Sequence, residues 1–184
     1  MPEPIDLAKN SLVAVTHDSL VTLRTALFRD VGATAAAVLQ EAGYAGGQPM
    51  FGAFGEWLAS RGLPAPEDLS AADFAAHATE FFRDTGWGSI ELGRLETVAT
   101  IDSGDWSESD PNAPLDFPGC YFTAGVFADF FGRVAGSPVA VMEVECRSMG
   151  NERCRFLLGS AETLQHVYDE MGQGVGYEEA VGTA

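Results

Sequence analysis

The sequence predicts an α+β fold, an antiparallel β-sheet of about four or five strands packed with helices. Apolar residues recur at helical spacing through much of the first half of the chain and again after Gly119. Strand-like runs come in neighbouring pairs divided by turn residues, the mark of hairpins rather than of crossover units. The resulting order, helices, strands, helix, hairpin and helix, lacks the βα alternation of a parallel sheet.

The 184 residues suit a single domain, 1–184, with an N-terminal arm over 1–17 and a flexible acidic tail over 172–184. Hydrophobic residues make up 46% of the chain, enough for a sizeable core. No run approaches the roughly 20 apolar residues of a membrane span. The net charge is −17 and Lys9 is the only lysine. Direct nucleic-acid binding is therefore not expected, because phosphate contacts need Lys and Arg. The acidic, lysine-poor, Ala/Gly-rich composition suits a halophile or salt-tolerant cytoplasm, and equally an acidic protein from a high-GC genome. The N-terminus lacks the basic start and long apolar core of a secretory signal, so a cytoplasmic, reducing location is expected.

In order, residues 1–17 read as an extended arm or short strand. Leu20, Leu23, Leu27 and Val31 define a first helix capped by Asp18 or Ser19. A second, small-residue helix runs from Ala33 to Ala42 and is expected to end at Gly43, Gly46 and Gly47. A third stretch, Met50 to Arg61, carries Phe51, Phe54, Trp57 and Leu58 on one stripe, which suits either core or one wall of a ligand pocket. After a surface connection over 62–68, Ser70 caps a helix with Asp73 in the capping-box position. That helix carries His77 beside Phe74, Phe81 and Phe82. A lone histidine there is structural, solvent-facing or a polar pocket group. Two strands are expected around Gly93. The stretch 102–118 reads as a long acidic loop, either solvated or a pocket lid. Ser160 then caps a closing helix.

The stretch Glu143–Phe156, EVECRSMGNERCRF, is the richest in chemistry. It reads as a β-hairpin with Cys146 and Cys154 at its mouth and a turn at Gly150-Asn151. Cys120 precedes Glu143 by 23 residues, at the start of a helix bearing Phe122, Val126, Phe127, Phe130, Phe131 and Val134. A helix N-terminus favours a thiolate there. Three thiolates and a carboxylate from separate elements suit a four-coordinate Zn²⁺ site. Spacing alone leaves other readings open: buried free cysteines, or a Cys146–Cys154 disulfide that strands Cys120. Glu143 and Glu145 are both candidates for the oxygen ligand. On a regular strand Glu143 and Cys146 point to opposite faces, so a bulge or strand end must intervene.

The pattern Cys120, Glu143-x-x-Cys146 and Cys154 resembles the C-terminal signature of the 4-vinyl reductase domain family, in the form found in N-terminal sensor domains of phenol- and aromatic-responsive transcription activators. The match spans about Pro118 to Leu158. The resemblance implies a structural zinc held by Cys120, Glu143, Cys146 and Cys154. It also implies an architecture shared with small-molecule sensors and vesicle-tethering subunits, and a homodimer. The resembling sensors place a ligand-facing Trp about 21 residues before their first zinc cysteine. Here that position falls near Ala99, while Trp87 and Trp106 lie elsewhere, and no matching pocket histidine is present. A phenol pocket is therefore not implied, nor do the partner domains of those activators follow.

No dinucleotide, P-loop, HExxH or nucleophile–base constellation appears. The expectation is a non-catalytic, zinc-stabilised sensory or regulatory protein that binds a small hydrophobic ligand. Phe51, Phe54, Trp57, His77, Phe81, Phe127 and Phe130 are the candidate lining. The rival expectation, from the family name, is a tetrapyrrole-binding or vinyl-reductase-associated factor, although nothing in the sequence supplies a hydride.

Overall fold

The computed structural model describes residues 5–184. Two N-terminal helices, α1 (His17–Val31) and α2 (Thr34–Ser60), lead through a 3₁₀ turn at Pro66–Asp68 to α3 (Ala71–Asp84). The hairpin β1 (Glu91–Leu95) and β2 (Val98–Ser103) follows, then α4 (Tyr121–Ala135). The second hairpin, β3 (Ala140–Glu145) and β4 (Cys154–Gly159), precedes α5 (Ala161–Gly172) and α6 (Tyr177–Gly182). The four strands form one antiparallel sheet in the order β1-β2-β4-β3, so the expected α+β architecture is the one observed.

The sheet separates two cores, and strand alternation decides which residue enters which. Ile101, Phe156 and Leu158 face a large aromatic core with α2, α3 and α4. Val98, Val144 and Leu157 face a smaller core built with α5 and α6.

The expected break in the second helix does not occur: α2 is a single helix of 27 residues through Gly43, Gly47 and Pro49. Its glycines are contact points, not stops. A Cβ on Gly43 would overlap the Phe122 carbonyl, and one on Gly125 of α4 would overlap the Gln40 carbonyl. Glycines here let α2 and α4 cross backbone to backbone. That packing outweighs a helix penalty of about 1 kcal/mol per glycine and about 3 kcal/mol for proline.

Other expectations shift in detail. Within the arm, 12–16 forms no strand, and Val13 and Val15 are exposed; positions 1–4 of the arm lie outside the described residues. The cap of α1 is Thr16, whose side chain accepts from the Ser19 N–H, and Ser70 and Ser160 cap α3 and α5 as expected. The β1–β2 turn falls at Glu96-Thr97, with Glu96 at φ 48°, not at Gly93. Gly93 sits mid-strand opposite Thr100, whose hydroxyl would crowd a Cβ at 2.7 Å. The expected flexible tail instead contains α6, which buries Ala180 and Val181.

Candidate metal centre and ligand groove

Three separate elements deliver the cysteines to one point. Cys120 is the N-cap of α4, Cys146 follows β3, and Cys154 opens β4. All three are buried and free. The Cys120 sulfur lies 3.9 Å from that of Cys146 and 4.0 Å from that of Cys154. These separations are far beyond the roughly 2.05 Å of a disulfide. They match the edge of about 3.8 Å of a tetrahedron with ~2.3 Å metal–sulfur bonds. One carboxylate oxygen of Glu143 joins them, and all four donor atoms lie within 4.8 Å of one another.

The bulge that the sequence required is present: the β3–β4 register slips between Glu143 and Glu145. It turns Glu143 toward the sulfurs. Glu145 faces the other way, receives the Arg153 guanidinium at 2.8 Å and accepts from the Tyr177 hydroxyl. Glu143 Oε2 accepts the Cys120 backbone N–H at 2.8 Å, while its Oε1 is buried without a partner. A buried carboxylate oxygen left unpaired is costly, and a cation is the natural complement.

The electrostatics point the same way. Burial first, then the Cys146 charge, pushes the Glu143 carboxyl well above its ordinary range. Burial likewise raises the Cys120 thiol, reinforced by its contacts with Cys146 and Cys154. Cys146 is driven down because the other two thiols donate to it, and the backbone N–H groups of Gly119 and Ser148 also point at its sulfur. Without a cation these groups hold protons among themselves; a dication would release them. Buried thiols at tetrahedral spacing, an orphaned carboxylate oxygen and N–H groups aimed at sulfur fit a thiolate-rich divalent metal site.

The loop over 102–118 is neither solvated nor a lid. Trp106, Glu108 and Ser109 are buried. The Glu108 carboxylate caps α4, accepting from the Phe122 N–H at 3.0 Å and the Thr123 N–H at 2.7 Å. Trp106 Nε1 donates to the Thr123 hydroxyl at 2.6 Å, and Arg24 Nη1 donates to the Glu108 carbonyl at 2.7 Å. Burial raises the Glu108 carboxyl to about 7. Sequence reasoning missed this cap because it comes from 14 residues upstream of the helix residue it serves, where no local capping pattern marks it.

Of the expected lining residues, Phe54, Phe81, Phe127 and Phe130 are fully buried and lie ring to ring, with Phe54–Phe130 centroids 5.7 Å apart and Phe54–Phe81 5.2 Å apart. Phe51 edges onto Phe130 at 5.4 Å. Trp57 borders clefts of about 370 and 510 Å³ beneath the arm; Arg61 stacks on its ring at 3.7 Å. His77 lies against Trp57 at 6.2 Å, with its Nδ1 buried and unpartnered. The largest apolar recess lies elsewhere. It is an open groove of about 780 Å³ between α3, the end of α4 and the β1–β2 hairpin. Phe74, Leu92, Ala99, Ile101, Phe131 and Leu158 line it.

With this geometry established, the class follows from comparison. The family model of the vinyl-4-reductase domain matches residues 114–160, the segment that holds all four donor residues. An uncharacterized protein of Methanocaldococcus jannaschii is 27% identical over 78 residues, 42% of this chain and 41% of its own length. The chain thus spans less than half of that relative. Among solved structures, the phenol-responsive sensory domain of the transcription activator PoxR, crystallised with phenol, superposes with a TM-score of 0.59. It is 14% identical, over 80% of this chain and 75% of its own. A trafficking protein particle complex subunit 3 from Naegleria fowleri, covalently bound to palmitic acid, gives 0.56 at 18% identity, over 83% and 95% of the two chains. A vinyl-4-reductase family protein from M. jannaschii gives 0.45 at 20% identity, over 66% of each chain. The chain therefore carries the vinyl-4-reductase domain signature on a fold it shares with the PoxR sensory domain and that trafficking subunit. None of the described helices is long and apolar enough to cross a membrane.

Proposed function

We propose that this chain is a zinc-stabilised module that binds a small hydrophobic or aromatic ligand and acts in sensing or regulation without catalysing a reaction. The observation that carries the ligand reading is the apolar groove over Ala99 and Leu158. Ala99 stands near the position where the resembling sensors place a ligand-facing tryptophan. A small residue there leaves open the space that a large ring would fill. At about 780 Å³, the groove lies within the range of small-molecule sites.

Cys120, Glu143, Cys146 and Cys154 would hold the metal, and what a zinc ion supplies there is folding energy. Three sulfurs and one oxygen complete a four-coordinate set, which leaves no position for a substrate. The chain's own residues then hold α4 against the β3–β4 hairpin through the Cys120 N–H to Glu143 contact. The apolar side chains that α1 and α2 leave exposed, Leu23, Val31, Val38 and Tyr44, favour a homodimer, which light scattering would test.

The ligand reading is tested by a thermal-shift screen of small aromatics and lipophiles against the native protein and Ala99→Trp. Stabilisation of the native protein that Ala99→Trp abolishes supports it. A folded, metal-loaded protein that no compound stabilises would contradict it.

A further inference from the structure

We infer that the groove selects amphiphiles that carry an anionic head on an apolar body, with Arg94 as the residue that reads the head. This rests on the reading of the groove as the ligand site and adds the chemical class of its occupant.

The argument starts from the few cations the chain has. It has ten basic residues. Lys9, Arg29, Arg61, Arg133, Arg153 and Arg155 lie in ion pairs with carboxylates. Arg24 is buried against the Glu108 carbonyl. Arg83, Arg94 and Arg147 have no carboxylate within ion-pairing distance among the described residues. Of these, Arg94 lines the largest apolar groove and the other two do not.

Strand register aims it there. Arg94 pairs with Ala99 and Leu92 with Ile101 across the β1–β2 hairpin, so Arg94 shares the face of the groove-lining Leu92, Ala99 and Ile101. Its Nε donates to the Glu96 carbonyl at 2.6 Å. That bond fixes the side chain at the hairpin end and leaves the two terminal nitrogens, the fork that matches a carboxylate, without a protein partner among the described residues. The body of a ligand would lie on Leu92, Ala99, Leu158 and Phe131, and its head would meet Arg94 at the mouth.

The rest of the molecule opposes such a ligand. The chain carries −17 overall, and Glu67 lines the same groove. A preference for anions over neutral analogues therefore has to come from a local cation, since the long-range field repels them. This makes the preference diagnostic.

The experiment measures binding of decanoate and decanol, below their aggregation limits and at 0.15 M salt, to the native protein, Arg94→Gln, Glu67→Gln and Ala99→Trp. Each variant is first shown to melt near the native temperature. Decanoate should bind the native protein about tenfold more tightly than decanol, the scale of one charge-assisted pair. Arg94→Gln should bring decanoate to the level of decanol and leave decanol within about twofold, while Glu67→Gln should tighten decanoate alone. Ala99→Trp should weaken both. If the two compounds bind equally and Arg94→Gln changes neither, the head-group inference fails while the hydrophobic-ligand reading stands. If neither binds the folded native protein, that reading fails and the inference with it.

Discussion

One strand, β4, connects two contrasting sites on the same face of the sheet. Cys154, Phe156 and Leu158 alternate along it toward the helices. The first sits in a sealed polar cluster, the second in the aromatic core and the third on an open apolar groove. At the Cys154 end, backbone and side chain converge: α4, the bulge and the hairpin loop all aim polar atoms at one buried point. At the Leu158 end they diverge, and apolar side chains are left facing solvent. A thiolate site can be completed by an ion of fixed valence, whereas an open apolar groove can be completed only by something that arrives from outside. Stability and recognition are thereby divided between the ends of a six-residue strand.

The contrast breaks most visibly at the cysteine end. Cys154→Ser should cost several kcal/mol, on the order of 3–5, because the hairpin and α4 lose their shared tether. A calorimetric scan should show an early, poorly cooperative transition, and a strong chelator should produce the same change in the native protein. At the other end, Ala99→Trp should weaken ligand binding at least tenfold, measured by titration, with little change in melting temperature because residue 99 is exposed. A pair of variants that both alter melting and binding alike would erase the distinction.

Glu108 sharpens the comparison, since it is polar, buried and near the cluster without belonging to it. Its folded-state pKa of about 7 lies above that of an ordinary carboxylate. The folded protein therefore holds this proton more tightly than the unfolded chain. The contribution to stability is fully present below about pH 4.5 and is lost as pH rises through about 7. Glu108→Gln should flatten the decline in melting temperature across that window, read from scans at successive pH values. At neutral pH the loss of a charged cap should cost about 1 kcal/mol. Smallest of all should be Tyr177→Phe. Its hydroxyl joins α6 to Glu145 and Arg155 on the opposite face of the sheet, and equilibrium denaturation should register about 0.5–1 kcal/mol.

How much of this was legible beforehand depends on how local each signal is. The donor set was legible because Glu143, Cys146 and Cys154 sit on one hairpin, and Cys120 adjoins a Pro-Gly helix start. The bulge was inferable because Glu143 and Cys146 otherwise face apart. The continuous α2 was not: Gly43 and Gly47 look like stops until α4, some 80 residues on, is seen to need the space they leave. Loop 102–118 looked solvated because its composition is acidic and turn-rich, yet Glu108 is spent on a distant helix end. The aromatic stripe of Phe54, Phe81, Phe127 and Phe130 reads the same from sequence whether it lines a pocket or fills a core, and here the rings meet one another. The groove's walls come from α3, α4 and three strands, so no single stretch announces it.

The most direct measurement is X-ray absorption at the zinc edge on protein purified without added metal, before and after saturation with a groove ligand. The expected result is about one zinc per chain with three sulfurs and one oxygen or nitrogen neighbour, and a spectrum that the ligand leaves unchanged. A metal-free protein with a Cys146–Cys154 disulfide, or a metal whose neighbours change when the ligand binds, would contradict the division between a closed structural site and an open binding site.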